Sequence, residues 1–117
     1  MNIIVAGSRS ITDAAVIKAA LKYIQRKWNV SSIITGGANG VDCIAASMAA
    51  QRGINVAVCE ANWNYHGKSA GYIRNAFMAT LADGLLAIWD GKSKGTKHMI
   101  ELAKKHKLKI VIVRVNK

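Results

Sequence analysis

Five apolar runs, each four or five residues long, recur at steady intervals along this chain of 117 residues: Ile3 to Ala6, Ser32 to Thr35, Val56 to Cys59, Leu85 to Trp89 and Ile110 to Val113. Between them apolar residues return at helical spacing. Ile17, Ala20, Leu21, Ile24 and Trp28 share one face, and Ala70, Ile73, Phe77 and Leu81 share another. Runs without polar alternation imply strands covered on both faces, hence a parallel sheet between two layers of helices. The chain reads βαβαβαβαβ: a single three-layer α/β domain over residues 1–117, with a five-stranded parallel sheet. A chain of this length buries enough surface to need no disulfide or metal staple.

Local signals agree with that order. Thr12 or Asp13, Ser69 and Thr96 are the expected N-caps, and Asn29, Gly53 and Gly84 stand where helices should end in a left-handed residue. The long polar connections, residues 7–12, 36–40, 59–68 and 89–95, each follow a strand and precede a helix. In an open parallel sheet such loops gather at the carboxyl ends of the strands, where these folds bind ligands.

The loop Thr35-Gly36-Gly37-Ala38-Asn39-Gly40-Val41-Asp42 is the strongest chemical signal. Glycines let backbone approach a ligand, and the first turn of the next helix directs unpaired N–H groups and a partial positive charge at it. An anion, above all a phosphate, suits that seat. Two other readings fail on spacing. Gly67-Lys68-Ser69 and Gly91-Lys92-Ser93 carry the tail of a Walker A loop, but the leading glycine is replaced by Asn62 and Leu86. Gly37 and Gly40 fit a dinucleotide fingerprint, with Glu60 twenty residues past Gly40, yet Thr35 stands in place of its first glycine.

Seventeen Lys and Arg against six Asp and Glu give a net charge of +11, which attracts anionic metabolites and polyanions alike. Lys92, Lys94, Lys97, Lys104, Lys105, Lys107 and Lys109 crowd the last quarter, as a solvated helix face or a functional patch. Cys43 and Cys59 form neither a metal pattern nor a framework of bridges, and both are expected to be buried thiols in a reducing cytoplasm. Met1-Asn2-Ile3-Ile4-Val5 leads straight into a strand, with no basic leader segment, and no stretch is long and apolar enough to span a membrane. No metal or cofactor is expected.

Gly7-Ser8-Arg9, the Thr35 to Asp42 loop, Gly67-Lys68-Ser69-Ala70-Gly71-Tyr72-Ile73-Arg74-Asn75 and Ala87-Ile88-Trp89-Asp90-Gly91-Lys92-Ser93-Lys94-Gly95-Thr96 together resemble the YspA/YpsA-related branch of the SLOG superfamily. That superfamily also holds DNA-processing protein A and the LOG phosphoribohydrolases. The resemblance implies a Rossmann-like sheet and a function in binding nucleotides or nucleotide-derived signals, or in cleaving them at the N-glycosidic bond. It also implies, for some members, a sensing or effector role in conflicts between bacteria and phages.

The candidate ligand-binding residues are Gly7, Ser8, Arg9, Gly36, Gly37, Ala38, Asn39, Gly40, Lys68, Ser69, Arg74, Asn75, Asp90, Ser93, Gly95 and Thr96. Arg9 suits a bidentate phosphate contact, and Lys68 and Ser69 suit a second phosphate or a ribose. Arg74 is placed to reach back from its helix. Asp90, at a strand tip, is the candidate catalytic residue: it would bind sugar hydroxyls or stabilise charge on a breaking glycosidic bond, or else only form an Asx turn before Gly91. Asp42 is read as structural, fixing the loop or its helix. Trp63 and Tyr65 either stack on a base or fold their loop down, and His66 is a weaker acid or base candidate. In the LOG enzymes a catalytic glutamate follows the Gly-Thr loop almost at once, whereas here Gly95-Thr96 is followed by Lys97-His98-Met99-Ile100-Glu101.

Three functions follow: binding of a phosphorylated nucleotide-derived signal (ADP-ribose-like or a cyclic nucleotide) by a sensor or sequestering protein, N-glycosidic hydrolysis of such a ligand, or single-stranded nucleic-acid binding through the basic surface. A homo-oligomer formed through the apolar helix from Ile44 to Ala50 is a further expectation.

Overall fold

The computed structural model describes residues 1–116. Strands β1 (Asn2–Gly7), β2 (Ser32–Thr35), β3 (Asn55–Val58), β4 (Gly84–Trp89) and β5 (Lys109–Arg114) form one parallel sheet in the order β3-β2-β1-β4-β5. Helices α1 (Ala14–Lys27), α2 (Val41–Gln51), α4 (Ala70–Leu81) and α5 (Lys94–Lys105) alternate with the strands. A short α3 (Trp63–His66) and a 3-10 turn (Gly67–Ser69) lead into α4. This is the expected three-layer Rossmann-like α/β architecture.

The alternation of side chains along β1 creates two cores. Ile3 and Val5 point to one face, where they meet Ile17, Leu21 and Ile24 of α1 and Val41, Ala45 and Ala49 of α2. Ile4 and Ala6 point to the other, against Met78 and Ala79 of α4 and Met99, Ile100 and Ala103 of α5. Each fully buried Ile or Leu contributes about 1.5–3 kcal/mol by leaving water. The register follows from this packing: Ile3 lies beside Ile33 of β2 and Gly84 of β4.

Several sequence expectations need correction. Burial on both faces holds for the central strands only, because β3 and β5 are edge strands, and Asn55, Ala57 and Val58 of β3 are exposed. The buried face of α4 is Ala70, Asn75, Met78 and Ala79, so Ile73, Phe77 and Leu81 lie outward, with Phe77 56% exposed. Cys43 is exposed and Cys59 partly so, since the inward positions of α2 are Val41, Asp42, Ala45 and Ala49. Ile44 and Met48 of α2 pack against the first core.

The helix caps differ in part. Asp13 caps α1, accepting from the N–H groups of Ala15 (3.0 Å) and Val16 (3.4 Å). Ser93, not Thr96, caps α5, while Ser69 stands at the N-cap of α4 as expected but donates its hydroxyl to the His66 carbonyl instead of accepting from the helix. Gly53 ends α2 with positive φ as expected, whereas α1 ends at Trp28 in extended backbone. Lys107 is the one described non-glycine residue with positive φ. Gly84 begins β4, where a Cβ would stand 3.0 Å from Ile3 Cδ1 and 3.2 Å from the Lys109 carbonyl oxygen. Among the described residues no helix is long and apolar enough to cross a membrane.

Candidate functional site

The strand order decides where the site lies. From β1 the chain steps outward to β2 and β3, then returns to lay β4 on the opposite side of β1. Connections leaving β1 and β4 therefore diverge to opposite faces and open a crevice at their carboxyl ends, the place where open α/β sheets bind ligands. A cavity of about 380 Å³ occupies that crevice, lined among others by Gly7, Ser8, Arg9, Ala38, Arg74, Asn75, Asp90, Ser93, Gly95 and Thr96. Met78 and Met99 from the second core also line it.

Two smaller lobes share its cationic residues. One, of about 230 Å³, is lined by Gly36, Gly37 and Ala38 together with Glu60, Ala61, Trp63, Arg9 and Arg74. The other, of about 200 Å³, adds Lys68, Gly71 and Tyr72. Of the sixteen expected site residues, Asn39, Gly40 and Ser69 line none of the three spaces. Gly40 acts through the backbone instead: it is the N-cap of α2, its φ is +80°, and a Cβ there would collide with the Arg9 backbone. Gly7 is needed for a similar reason, because a Cβ on it would overlap Val41 and the Ile88 carbonyl.

Asp42 organises the glycine loop from beneath. Its Oδ2 accepts from the N–H groups of Gly36 (3.1 Å) and Ala38 (3.4 Å), so these two amides are engaged by the chain itself. The structural reading of Asp42 holds, and the expectation that the whole loop offers its amides to a ligand is corrected, since Asp42 takes those of Gly36 and Ala38. Burial pushes the Asp42 carboxyl up to about 6, against the opposing pull of the Ala38 N–H, the Arg74 charge and the Gly36 and Gly7 N–H groups.

Arg74 clamps the same loop from α4. One Nη donates to the Gly36 carbonyl at 2.7 Å and Nε donates to Asn75 Oδ1 at 3.0 Å. Burial lowers its pKa, the Asp42 charge raises it, and Arg9 lowers it further by repulsion. Arg9 itself is exposed, and its side chain has no hydrogen-bond or ion-pair partner among the described residues. Two guanidiniums thus face one cleft, one built in and one unneutralised. The first turn of α5 opens on the same cleft through Gly95 and Thr96 and adds partial positive charge, whereas the first turn of α2 presents the Asp42 carboxylate.

Asp90 performs the Asx turn with one oxygen and accepts from Ser10 with the other. Oδ1 accepts from the N–H groups of Lys92 (2.8 Å) and Ser93 (2.9 Å), which hold its pKa down to about 2, while Oδ2 lies 3.4 Å from the Ser10 hydroxyl. An ionised carboxylate here can accept hydrogen bonds or stabilise a cation but cannot deliver a proton at neutral pH. Ser8, 1% exposed, is a stitch: its hydroxyl accepts from the Asp90 N–H at 3.1 Å. Thr96 is likewise buried, with its hydroxyl 3.1 Å from that of Ser93. Asn75 Nδ2 donates to the Gly95 carbonyl (3.3 Å) and lies 3.2 Å from His98 Nδ1.

The aromatic pair divides. Trp63 walls both small lobes, whereas Tyr65 is 81% exposed and meets only the edge of His66. His66 lines none of the three spaces. Glu101 is exposed and lies two turns into α5, away from the Gly95-Thr96 start. Beyond the expected residues, Ser10 of the first loop lines the main cavity and Tyr72 lines one lobe, with His98 edge to face behind Tyr72 at 4.5 Å.

Residues 1–66 match the YAcAr family, described as YspA, cpYpsA-related SLOG family. The gene 61 protein of Mycobacterium phage D29 is 34% identical over 117 aligned residues, 94% of each chain. DNA processing protein A from Helicobacter pylori, whose structure was described for its single-stranded DNA binding mode, superposes with a TM-score of 0.74 at 19% identity. The match covers 96% of this chain but 64% of that one, and it shows a shared fold.

Proposed function

The chain belongs to the YspA, cpYpsA-related SLOG family, and from that premise we propose that it binds a phosphorylated, nucleotide-derived small ligand in the crevice between β1 and β4. The observation that carries this reading is the convergence of unpartnered Arg9, half-buried Arg74 and the N-terminus of α5 on one cavity. An anion there relieves the repulsion between the guanidiniums and takes charge-assisted hydrogen bonds that the free protein leaves unmade. Lys68 and the Ser93 to Thr96 turn extend the cationic and amide-rich lining on either side. The similarity to a phage protein fits a role in sensing or sequestering such a signal during phage infection.

Binding is favoured over N-glycosidic turnover because both Asp90 oxygens already accept hydrogen bonds within the protein, Oδ1 from the Lys92 and Ser93 N–H groups and Oδ2 from the Ser10 hydroxyl. Differential scanning fluorimetry with nucleoside mono- and diphosphates, ADP-ribose and cyclic nucleotides tests the reading. At a ligand concentration one hundred times Kd, stabilisation should be about 2.7 kcal/mol. No shift from any of these compounds at millimolar concentration overturns it. Should a bound compound be cleaved, and Asp90→Asn abolish base release while preserving binding, the hydrolase reading replaces it.

Single-stranded nucleic acid is the second reading, favoured by the net charge of +11 and by the likeness to DNA processing protein A. Lys92, Lys94, Lys97, Lys104, Lys105, Lys107 and Lys109 are all exposed, but the fold separates them. Lys92, Lys94 and Lys97 flank the cleft, while Lys104, Lys105, Lys107 and Lys109 lie at the far end of α5 and the start of β5. Nucleic-acid binding predicts a steep fall of affinity with salt. Oligonucleotide binding that is absent or indifferent to salt excludes it.

A further inference from the structure

We infer that the lobe between the glycine loop and Trp63 is a ribose subsite, in which the Glu60 carboxylate accepts hydrogen bonds from the vicinal hydroxyls of a ribonucleotide. The inference rests on the anion-binding reading above and specifies its ligand. Glu60 follows β3 directly, and the glycine loop follows β2, so the loop, α2 and the acid belong to one βαβ unit. In such a unit the residue that follows the second strand stands beside the loop that opens the helix, at the edge of the ligand crevice. A Cβ on Gly37 would stand 3.6 Å from Glu60 Cγ and 3.9 Å from its Oε1, so the carboxylate and the loop backbone border the same space.

A carboxylate is the wrong group for holding phosphate, and the Glu60 side chain has no hydrogen-bond or ion-pair partner among the described residues, although Arg9 and Arg74 line its lobe. Its chemistry is acceptor-only, with two oxygens side by side, which matches a pair of adjacent O–H donors. Glu60 therefore gives the cleft polarity: hydroxyls at the Gly37 end, phosphates toward Arg9 and the start of α5. Trp63 supplies the remaining wall. Its indole lies over α4, with Cη2 3.4 Å from where a Gly71 Cβ would be, and its half-exposed ring offers an apolar surface to a base. The subsite thus selects ribonucleotides over deoxyribonucleotides and, by charge, disfavours a 2′-phosphate.

Calorimetric titration of the wild type and Glu60→Ala tests this with inorganic pyrophosphate and with ADP, GDP, CDP and UDP beside their 2′-deoxy counterparts. Glu60 is exposed and unpartnered, so the variant should fold, which circular dichroism checks. For the nucleotide bound tightest, the wild type should prefer the ribo form by roughly tenfold or more, the worth of one charged hydrogen bond. Glu60→Ala should bring that ratio to about one, leaving pyrophosphate affinity unchanged or higher. Equal ribo and deoxyribo affinity in the wild type, or a ratio that survives in Glu60→Ala, overturns the ribose subsite while pyrophosphate binding upholds the anion site. Failure of pyrophosphate and every nucleotide to bind overturns both.

Discussion

Replacing Asp42 with Asn should make the protein progressively more stable than the wild type as pH rises. Asp42 lies beneath the glycine loop, and burial raises its carboxyl from the ordinary 3.8 to about 6. A rise of that size, from 3.8 to about 6, corresponds to about 3 kcal/mol of preference for the protonated form in the folded state. The direction follows from linkage: the contribution is fully present below pH 3.8 and is lost as pH rises through about 6. Between pH 4 and pH 7 the wild type should lose about 2 kcal/mol from this group alone.

Asn cannot ionise, yet its carbonyl can still accept from the Gly36 and Ala38 N–H groups. Urea unfolding of both proteins at pH 4, 5, 6 and 7 measures the effect as the difference between them. His98, whose pKa burial lowers despite the opposing Glu101 charge, gains stability with rising pH, but it is present in both proteins and cancels. Asp90, held at about 2, acts below this range. A difference between variant and wild type that stays level from pH 4 to pH 7 would refute the reasoning.

Arg9→Ala should leave unfolding stability within about 0.5 kcal/mol of wild type, because the side chain is exposed and unpartnered. The same change should weaken pyrophosphate binding by roughly tenfold or more, and calorimetry showing unchanged affinity would remove Arg9 from the site. Gly95→Ala adds a methyl where nothing lies within 4 Å, so thermal unfolding should show equal or slightly greater stability. Because Gly95 borders two lobes of the cleft, ligand affinity should fall, and retention of full affinity would place the ligand elsewhere. Gly40→Ala has the opposite character: positive φ and collision with the Arg9 backbone should cost at least about 1–3 kcal/mol, read as a lower urea midpoint.

Much of the architecture was legible before any coordinates. Apolar runs too short for helices fix the five strands to within a residue or two, and the period of Ile17, Ala20, Leu21 and Ile24 fixes the buried face of α1. The same argument fails for α4. Its apolar stripe of Ile73, Phe77 and Leu81 faces outward, because the loop through Trp63 and the clamp of Arg74 on Gly36 turn the helix so that Asn75 and Met78 face the cleft and core. Hydrophobic periodicity reports which residues can share a face; it carries no information on how neighbouring elements rotate that face.

The candidate site divides in the same way. The sequence by itself determined which loops hold the chemistry, since glycines, caps and strand ends are local features written in adjacent residues. Only the tertiary structure decided which loops meet. The return of the chain across β1 brings Arg9, Arg74 and the Ser93 to Thr96 turn to one crevice, and burial turns Asp42 inward to occupy two loop amides. Electrostatic repulsion between two guanidiniums, or the rise of a carboxyl pKa, depends on distance and solvent exclusion. Neither quantity exists until residues far apart in the chain are packed together.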